Sequence, residues 1–199
     1  MTVQLDVWRG EFGAAYTERN PMNPGVRLAP FRTMLGGLGI SSALEVGCNR
    51  GHNLATLAET LGKGSRIVGV EPNAHARSLA EAIAPGQVVE GSADRLPFAD
   101  ASFDAVLTCG VLIHVPPEAY EQSLREIRRV ARRYVLAAEY YAAGETAIEY
   151  RGHNDLLWKR DFASDYIRVC GDLEVVRSGY WTKEDGFDRS HWWLLAVAG

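Results

Sequence analysis

Apolar and polar positions along the chain change period from stretch to stretch, and that change predicts the order of its elements. Compact apolar runs of the buried-strand kind fall at residues 43–46, 65–70, 87–90, 103–108 and 134–138. Between them the spacing becomes helical. Leu54, Leu57, Ala58 and Leu61 follow the first run, and further helical stretches lie at 73–84, from Pro116-Pro117 onward, and at 162–169. Two more strands are predicted at 173–181 and 191–198, joined by the polar link 182–189. Strand alternating with helix is the pattern of an α/β domain whose parallel strands are joined by crossover helices.

The punctuation agrees with this order. Gly36, Gly37 and Gly39 end a helix predicted at 28–38, Asn73 caps the helix after the second strand, and Pro85-Gly86 turns the chain into the third. In the helix after Pro116-Pro117, Glu118 and Glu121 come early and Arg128, Arg129, Arg132 and Arg133 late, the charge order that the helix dipole favours. Near the N-terminus, Trp8, Phe12 and Tyr16 lie four apart and would line one helical face, whereas Gly10 and Gly13 each weaken a helix by about 1 kcal/mol relative to alanine. An aromatic face on a weak helix suits a lid that packs when something lies beneath it. A helix permanently docked on the core would carry the same pattern. The run Asn20-Pro21-Met22-Asn23-Pro24-Gly25 then stops the helix and is expected to act as a hinge.

Composition narrows the functional classes. At 199 residues, 47% hydrophobic and with net charge −4, the chain fits one globular domain with a sizeable core and lacks the broad basic footprint of a nucleic-acid binder. No apolar run reaches the length of a membrane span, and no signal-peptide layout is present, so a cytoplasmic protein without membrane association is expected. Cys48, Cys109 and Cys170 are odd in number and far apart, which fits neither a disulfide framework nor a zinc site, and no metal site is expected.

The chemistry concentrates at the turn after the first strand, Gly47-Cys48-Asn49-Arg50-Gly51, with Glu45 ahead of it and Asn53 just beyond. Such a turn brings backbone N–H groups and a helix N-terminus close to a ligand. It departs from the G-x-G-x-x-G dinucleotide fingerprint. At the tip of the second strand stand Glu71 and Pro72, with Glu71 24 residues past Gly47, close to the spacing of dinucleotide sites. A carboxylate there can accept from both hydroxyls of a ribose lying across the first turn.

The turn resembles the E/D-x-G-x-G-x-G loop of class I S-adenosylmethionine (SAM) methyltransferases, with Asn49 in place of the middle glycine. Asparagine tolerates positive φ better than most residues, so that exchange is mild. The stretch GSADRLPFADASFD, residues 91–104, resembles the same family's G-D-A-x-x-L-P-F-x-D-x-S-F-D pattern. By that resemblance Ser92 and Ala93 meet the adenine, with Asp94 near enough to supply the acid that Ser92 replaces. The resemblance implies a Rossmann-like, seven-stranded, mostly parallel sheet with helices on both faces, its last strand antiparallel, and an N-terminal helical lid over residues 1–40. It also implies SAM as cofactor, with Cys109 and Gly110 at the strand mouth beside it. Segments at 8–20, 45–54, 110–115, 138–142 and 150–163 further resemble one subgroup, the pseudaminic acid biosynthesis-associated methylases. The implied activity is methylation of a hydroxyl or amino group of a small metabolite (a sugar, amino acid or natural-product intermediate).

Methyl transfer needs alignment above all, worth about 7–11 kcal/mol, and for a hydroxyl also a proton acceptor, worth about 10²–10⁴-fold. His114 is the candidate base, although a histidine holding the strand-to-helix turn would look the same. Tyr16, Arg19, Glu139, Tyr140 and Tyr141 are expected around the acceptor or the methionine end of the cofactor. The loop of roughly 20 residues after Tyr141 offers Arg151, His153, Lys159 and Arg160 for a substrate carboxylate or phosphate. The D/N-P-P-Y motif of amino methylation on adenine or glutamine is missing after the fourth strand, and nothing basic adjoins Cys109 to make it a nucleophile. Two rivals use the same pocket: a SAM-consuming cyclisation of the aminocarboxypropyl group that releases methylthioadenosine, and a non-catalytic SAM-binding protein.

Overall fold

The protein was analysed as a computed structural model, which describes residues 2–20, 23–84 and 86–198. The expected hinge at 20–25 and turn at 85–86 include Pro21, Met22 and Pro85, which lie outside the described residues. Among the described residues nine strands form in chain order: β1 Ser42–Val46, β2 Arg66–Val70, β3 Val88–Val89, β4 Phe103–Cys109, β5 Ala131–Glu139, β6 Thr146–Ala147, β7 Trp158–Lys159, β8 Leu173–Trp181 and β9 Ser190–Val197. Seven make one sheet in the order β3-β2-β1-β4-β5-β9-β8, while β6 and β7 pair with each other. The pairs from β3 to β5 are parallel, and β9 runs antiparallel to both β5 and β8. The last strand is therefore the one reversed strand of the seven, as expected.

Seven α-helices among the described residues accompany the sheet: α1 Val3–Arg9, α2 Glu11–Arg19, α3 Leu28–Leu35, α4 His52–Leu61, α5 Ala74–Ile83, α6 Pro117–Val130 and α7 Phe162–Cys170. Because side chains alternate along a strand, β5 sends Val135 and Ala137 into one core layer and Leu136 and Ala138 into the other. The first layer packs beneath Leu124 and Ile127 of α6 and Phe162 and Tyr166 of α7. The second packs against Phe31 and Met34 of α3 and Leu54 and Leu57 of α4. From β1 the chain steps outward through β2 and β3, then returns to lay β4 on the other side of β1. That reversal opens a crevice beyond the C-terminal ends of β1 and β4, where ligands of open α/β sheets bind.

Two departures from expectation matter for the site. The N-terminal helix is broken in two, because Gly10 is extended (φ −86°, ψ −158°) and both ends α1 and starts α2. The stretch after Tyr141 is a hairpin: β6 pairs with β7, the Ile148 N–H donates to the Leu157 carbonyl, and Tyr150 and His153 exchange backbone bonds. Arg151 (φ +53°) and Gly152 (φ +80°) supply the two positive φ values of its tight turn. The late arginines of α6 and β5 are bound within the fold, Arg128 to Asp172, Arg129 to Glu126 and Asp100, and Arg132 to Asp104.

Candidate active site

The turn after β1 is shaped by its glycine and asparagine. Gly47 takes φ +72°, and a Cβ there would meet Val111 Cγ2 at 2.5 Å, so the turn approaches the β4 exit as closely as backbone allows. The Gly47 and Cys48 N–H groups both donate to the Val70 carbonyl (2.7 and 3.0 Å), tying the turn to the end of β2. Asn49 takes φ +47°. Its N–H donates to Glu71 Oε2 and that of Asn73 to Glu71 Oε1, each at 2.9 Å. One lone pair on each Glu71 oxygen is thus held by backbone and another is left over. Burial raises the Glu71 carboxyl and the two N–H donors lower it.

A second buried acid faces the same space. Glu45 Oε1 accepts from Asn53 Nδ2 at 2.6 Å, whereas Oε2 is buried with no partner among the described residues. Burial pushes this carboxyl up to about 7, against the Asn53 bond and the Arg27 charge that pull it down. Arg27 donates to Asn53 Oδ1 (2.8 Å) and to the Gly186 carbonyl (2.7 Å), and its guanidinium lies 4.2 Å from the Phe187 ring centre. On the far side, Ser92 Oγ donates to Asp94 Oδ1 at 2.5 Å.

Past β4, Gly110 (φ +65°) opens into a 3-10 turn, Leu112–His114, clamped by a buried carboxyl on one side and a buried guanidinium on the other. Glu139 accepts from the N–H groups of Val111, Leu112 and Ile113. Burial pushes its carboxyl up to about 7, against the donors that hold it down. Arg160, 1% exposed, donates to the Leu112 and Val115 carbonyls (both 3.2 Å) and to Glu145 (2.9 Å). His114 Nδ1 sits 2.6 Å from the Leu156 carbonyl oxygen. A carbonyl only accepts, so the proton sits on Nδ1 and the lone pair on Nε2. Burial pushes His114 down to about 4, although the Leu156 bond opposes it. Trp8 covers the imidazole at 4.4 Å between ring centres and meets Phe12 and Tyr16 edge-on, while Tyr150 of the hairpin approaches both His114 and Phe12.

These parts enclose a cavity of about 640 Å³. It is lined by Tyr16 and Arg19 from the lid, by Gly47, Cys48, Asn49, Asn53, Glu71 and Pro72, by Ser92, Ala93 and Asp94, and by Cys109, Gly110, His114 and Tyr140. Seven other expected site residues stand outside its walls. Gly51 (φ +83°) starts α4, where a Cβ would lie 3.2 Å from Ala80. Glu139 and Arg160 are consumed by the 3-10 turn. Tyr141 packs beside His191 and Trp193 on the sheet face, Arg151 occupies the hairpin tip, His153 meets Phe12 edge-on, and Lys159 belongs to the β6–β7 ladder. For Glu139 and Arg160 the physical reason is direct: each is buried, and its bonds run to the backbone of the turn rather than into the cavity. Conversely, Arg27, Thr17, Asn73 and Asp188 line the cavity without having been expected there. Tyr140, just past β5, donates to Asp188 Oδ2 at 2.8 Å, a pairing with the link before β9 that no local signal announces. Burial raises both the Cys48 and Cys109 thiols, which leaves neither as a nucleophile.

Comparison with known proteins agrees with this geometry. Residues 44–136 match a family described as a methyltransferase domain. An uncharacterised methyltransferase of Mycobacterium marinum is 40% identical over 179 residues, covering 77% of this chain and 69% of that protein. The chain belongs to the class I SAM-dependent methyltransferases. Among solved structures this methyltransferase is similar to the Burkholderia thailandensis 1,6-didemethyltoxoflavin-N1-methyltransferase, determined with S-adenosylhomocysteine (TM-score 0.71, 18% identity, 98% of this chain and 88% of that one). It is also similar to the magnesium protoporphyrin IX methyltransferase of Synechocystis PCC 6803 (TM-score 0.70, 16% identity, 97% of each chain). At those identities the likeness is one of fold. The methyltransferase spans 27% and 38% of two further curated relatives, from Streptomyces fradiae and Haemophilus influenzae. No helix among the described residues is long and apolar enough to cross a membrane.

Proposed function

We propose that this chain transfers the methyl group of SAM to a hydroxyl or amino group of a small metabolite. The observation that carries the reading is Glu71 at the tip of β2, with each carboxylate oxygen fixed by one backbone N–H and facing the cavity. That carboxylate holds the two ribose hydroxyls. Ser92, Ala93 and Asp94 meet the adenine, and the buried, partnerless Glu45 Oε2 accepts from the ammonium of the methionine end. Gly47, Cys48, Asn49, Cys109 and Gly110 bring backbone against the cofactor, with no side chain able to replace Gly47. When bound, SAM supplies a methyl group already activated by the sulfonium.

The acceptor binds between the lid and the β4 and β5 exits, among Tyr16, Arg19, Tyr140 and His114. His114 is neutral throughout the physiological range, and its low basicity suits accepting a proton late in the transfer rather than ionising a hydroxyl beforehand. Burial pushes Tyr16 up to about 12, so its phenol stays protonated and orients rather than deprotonates. Alignment under a closed lid therefore outweighs acid–base chemistry here. The cavity, of a size that takes a cofactor and a small molecule, supports a small acceptor. The two similar folds, named for 1,6-didemethyltoxoflavin and magnesium protoporphyrin IX, are consistent with that class. Membership of the pseudaminic acid biosynthesis-associated subgroup rests on the resembling segments. The packing of Trp8, Phe12, His114 and Tyr150 against one another supports reading three of those segments as one unit.

The test is product analysis with methyl-labelled SAM and the host's small metabolites. Label in a metabolite together with S-adenosylhomocysteine is expected. Methylthioadenosine instead would mean that the aminocarboxypropyl chain is consumed. Absence of any thermal shift with either SAM or S-adenosylhomocysteine would overturn the cofactor assignment itself.

A further inference from the structure

A pair of asparagines, Asn49 and Asn73, reaches from the rest of the protein to the two lid helices, and the same pair holds Glu71. Thr17 of α2, 1% exposed, places its Oγ1 2.8 Å from Asn49 Oδ1 and 3.0 Å from the Gly13 carbonyl. A single hydroxyl proton serves one of these acceptors; with the Asn49 amide turned over, Nδ2 donates to the hydroxyl and both contacts are satisfied. Asn73 Nδ2 lies 3.0, 3.1 and 3.0 Å from the carbonyls of Trp8, Arg9 and Gly10, where α1 gives way to α2. A Cβ on Gly13 would come within 2.9 Å of that same Nδ2, so the seat is close-fitting. From their backbones, Asn49 and Asn73 donate to the two oxygens of Glu71.

Neither asparagine is demanded by its local backbone. Glycine would meet φ +47° at position 49 with less strain, and glycine is what the resembling loop carries there. Asn73 caps α5 through Oδ1 to the Ala76 N–H, a task that aspartate performs as well. What only an amide supplies is the reach to the lid. The other contacts of the lid lie at its edges: Glu18 pairs with His75 at 2.7 Å, Arg50 donates to the Thr17 carbonyl at 3.4 Å, and Trp8 and Phe12 pack against His114, Tyr150 and His153. Only Gly13 and Thr17 are fully buried in α2, and no residue is in α1, so the buried part of the seat is the part at the two asparagines. An element with so little buried is readily biased by a small change beneath it.

We propose that Asn49 and Asn73 are positioning residues that couple closure of the lid to occupancy of Glu71, so that the lid shuts on a filled cofactor site and slows cofactor release. The coupling rests on the cofactor reading given above. A ligand bridging both Glu71 oxygens fixes the carboxylate, hence the two N–H donors, hence the amides on which the lid sits. Linkage makes the effect reciprocal, so whatever the cofactor adds to lid closure, the closed lid adds to cofactor affinity.

The test is amide hydrogen exchange across residues 11–19, with and without S-adenosylhomocysteine, alongside the dissociation rate of that ligand. It uses the wild type, Thr17→Val, Asn49→Gly, Asn73→Asp and the double variant T17V/N49G. In the wild type the ligand is expected to slow exchange by about tenfold or more, and each single variant to lose most of that protection and release the ligand about fivefold faster or more. The double variant should be no worse than its worse single member, because both substitutions remove one contact. Wild-type protection and release rates in all three single variants would overturn the coupling, as would additive effects in the double variant or ligand-independent exchange in the wild type. Calorimetry on the wild type separates the two readings: no ligand binding there overturns the cofactor assignment, whereas normal binding with an indifferent lid overturns only the coupling.

Discussion

The two halves of the cavity are made in different ways. The half proposed above for the cofactor is assembled from neighbours in sequence: β1, its turn and α4, then β2, Glu71 and α5, each strand end followed directly by the next helix. Most of its groups are backbone N–H donors and two buried acids. The other half, proposed above for the acceptor, joins pieces from opposite ends of the chain: the lid, Arg27, His114 of the turn after β4, Tyr140 and the link before β9 with Lys183 and Asp188. A shared cofactor needs one fixed frame, which local strand-turn-helix units supply cheaply, whereas acceptor recognition is free to vary and is delegated to loops and lids on that frame.

The sharpest way to probe that contrast is to damage each half and ask whether the other notices. His114→Ala should lower kcat by about 10²–10⁴-fold while leaving S-adenosylhomocysteine affinity within about twofold, measured by steady-state kinetics and calorimetry. Unaltered turnover would make His114 a structural group only. Arg160→Ala leaves buried turn carbonyls and Glu145 without their cation, a loss of about 3–5 kcal/mol that should lower Tm by about 10 °C. A normal Tm with a raised KM would instead make Arg160 a substrate ligand. In the cofactor half, Glu71→Ala should weaken S-adenosylhomocysteine by about 10–150-fold, the worth of charge-assisted bonds of about 1.5–3 kcal/mol, and unchanged calorimetric affinity would remove Glu71 from the site.

The smallest effect is a pH dependence. Burial pushes the Glu45 carboxyl up to about 7, and only its ionised form attracts an ammonium. Because its pKa is raised, it is largely protonated below 7, so affinity should rise with pH up to about 7 and level off above. Binding at pH 6 is expected to be about tenfold weaker than at pH 8 in the wild type, and nearly flat in Glu45→Gln. An equally steep profile in that variant would assign the titration elsewhere.

Much of the frame was legible in the residues alone, because the signals are local. Apolar runs of strand length, helical spacing after Leu54 and the positive-φ residues of the first turn specify strand, turn and helix wherever they occur. Glu71 was legible for the same reason, as an acid at a strand tip at a set distance from the turn. Some positions misled. Glu139 and Arg160 carry the charges of catalytic or substrate-binding groups, and nothing in their neighbours in sequence tells that they will be buried on either side of one turn. The single helix expected from Trp8, Phe12 and Tyr16 divides at Gly10, where an extended glycine lets α1 and α2 fold onto Asn73. The stretch after Tyr141 reads as a polar loop, yet Arg151 and Gly152 close it into a hairpin that delivers Leu156 to His114.

Periodicity, turn chemistry and the spacing of acids thus determined the sheet, its crossover helices and the cofactor turn, since each depends on residues a few positions apart. The tertiary structure alone decided which charged groups face the cavity and which clamp the backbone, that Arg27 and Asp188 line that cavity, and that Asn49 reaches a threonine 32 positions away. Those outcomes depend on burial and on contacts between segments brought together only when the sheet closes, and no local pattern encodes them.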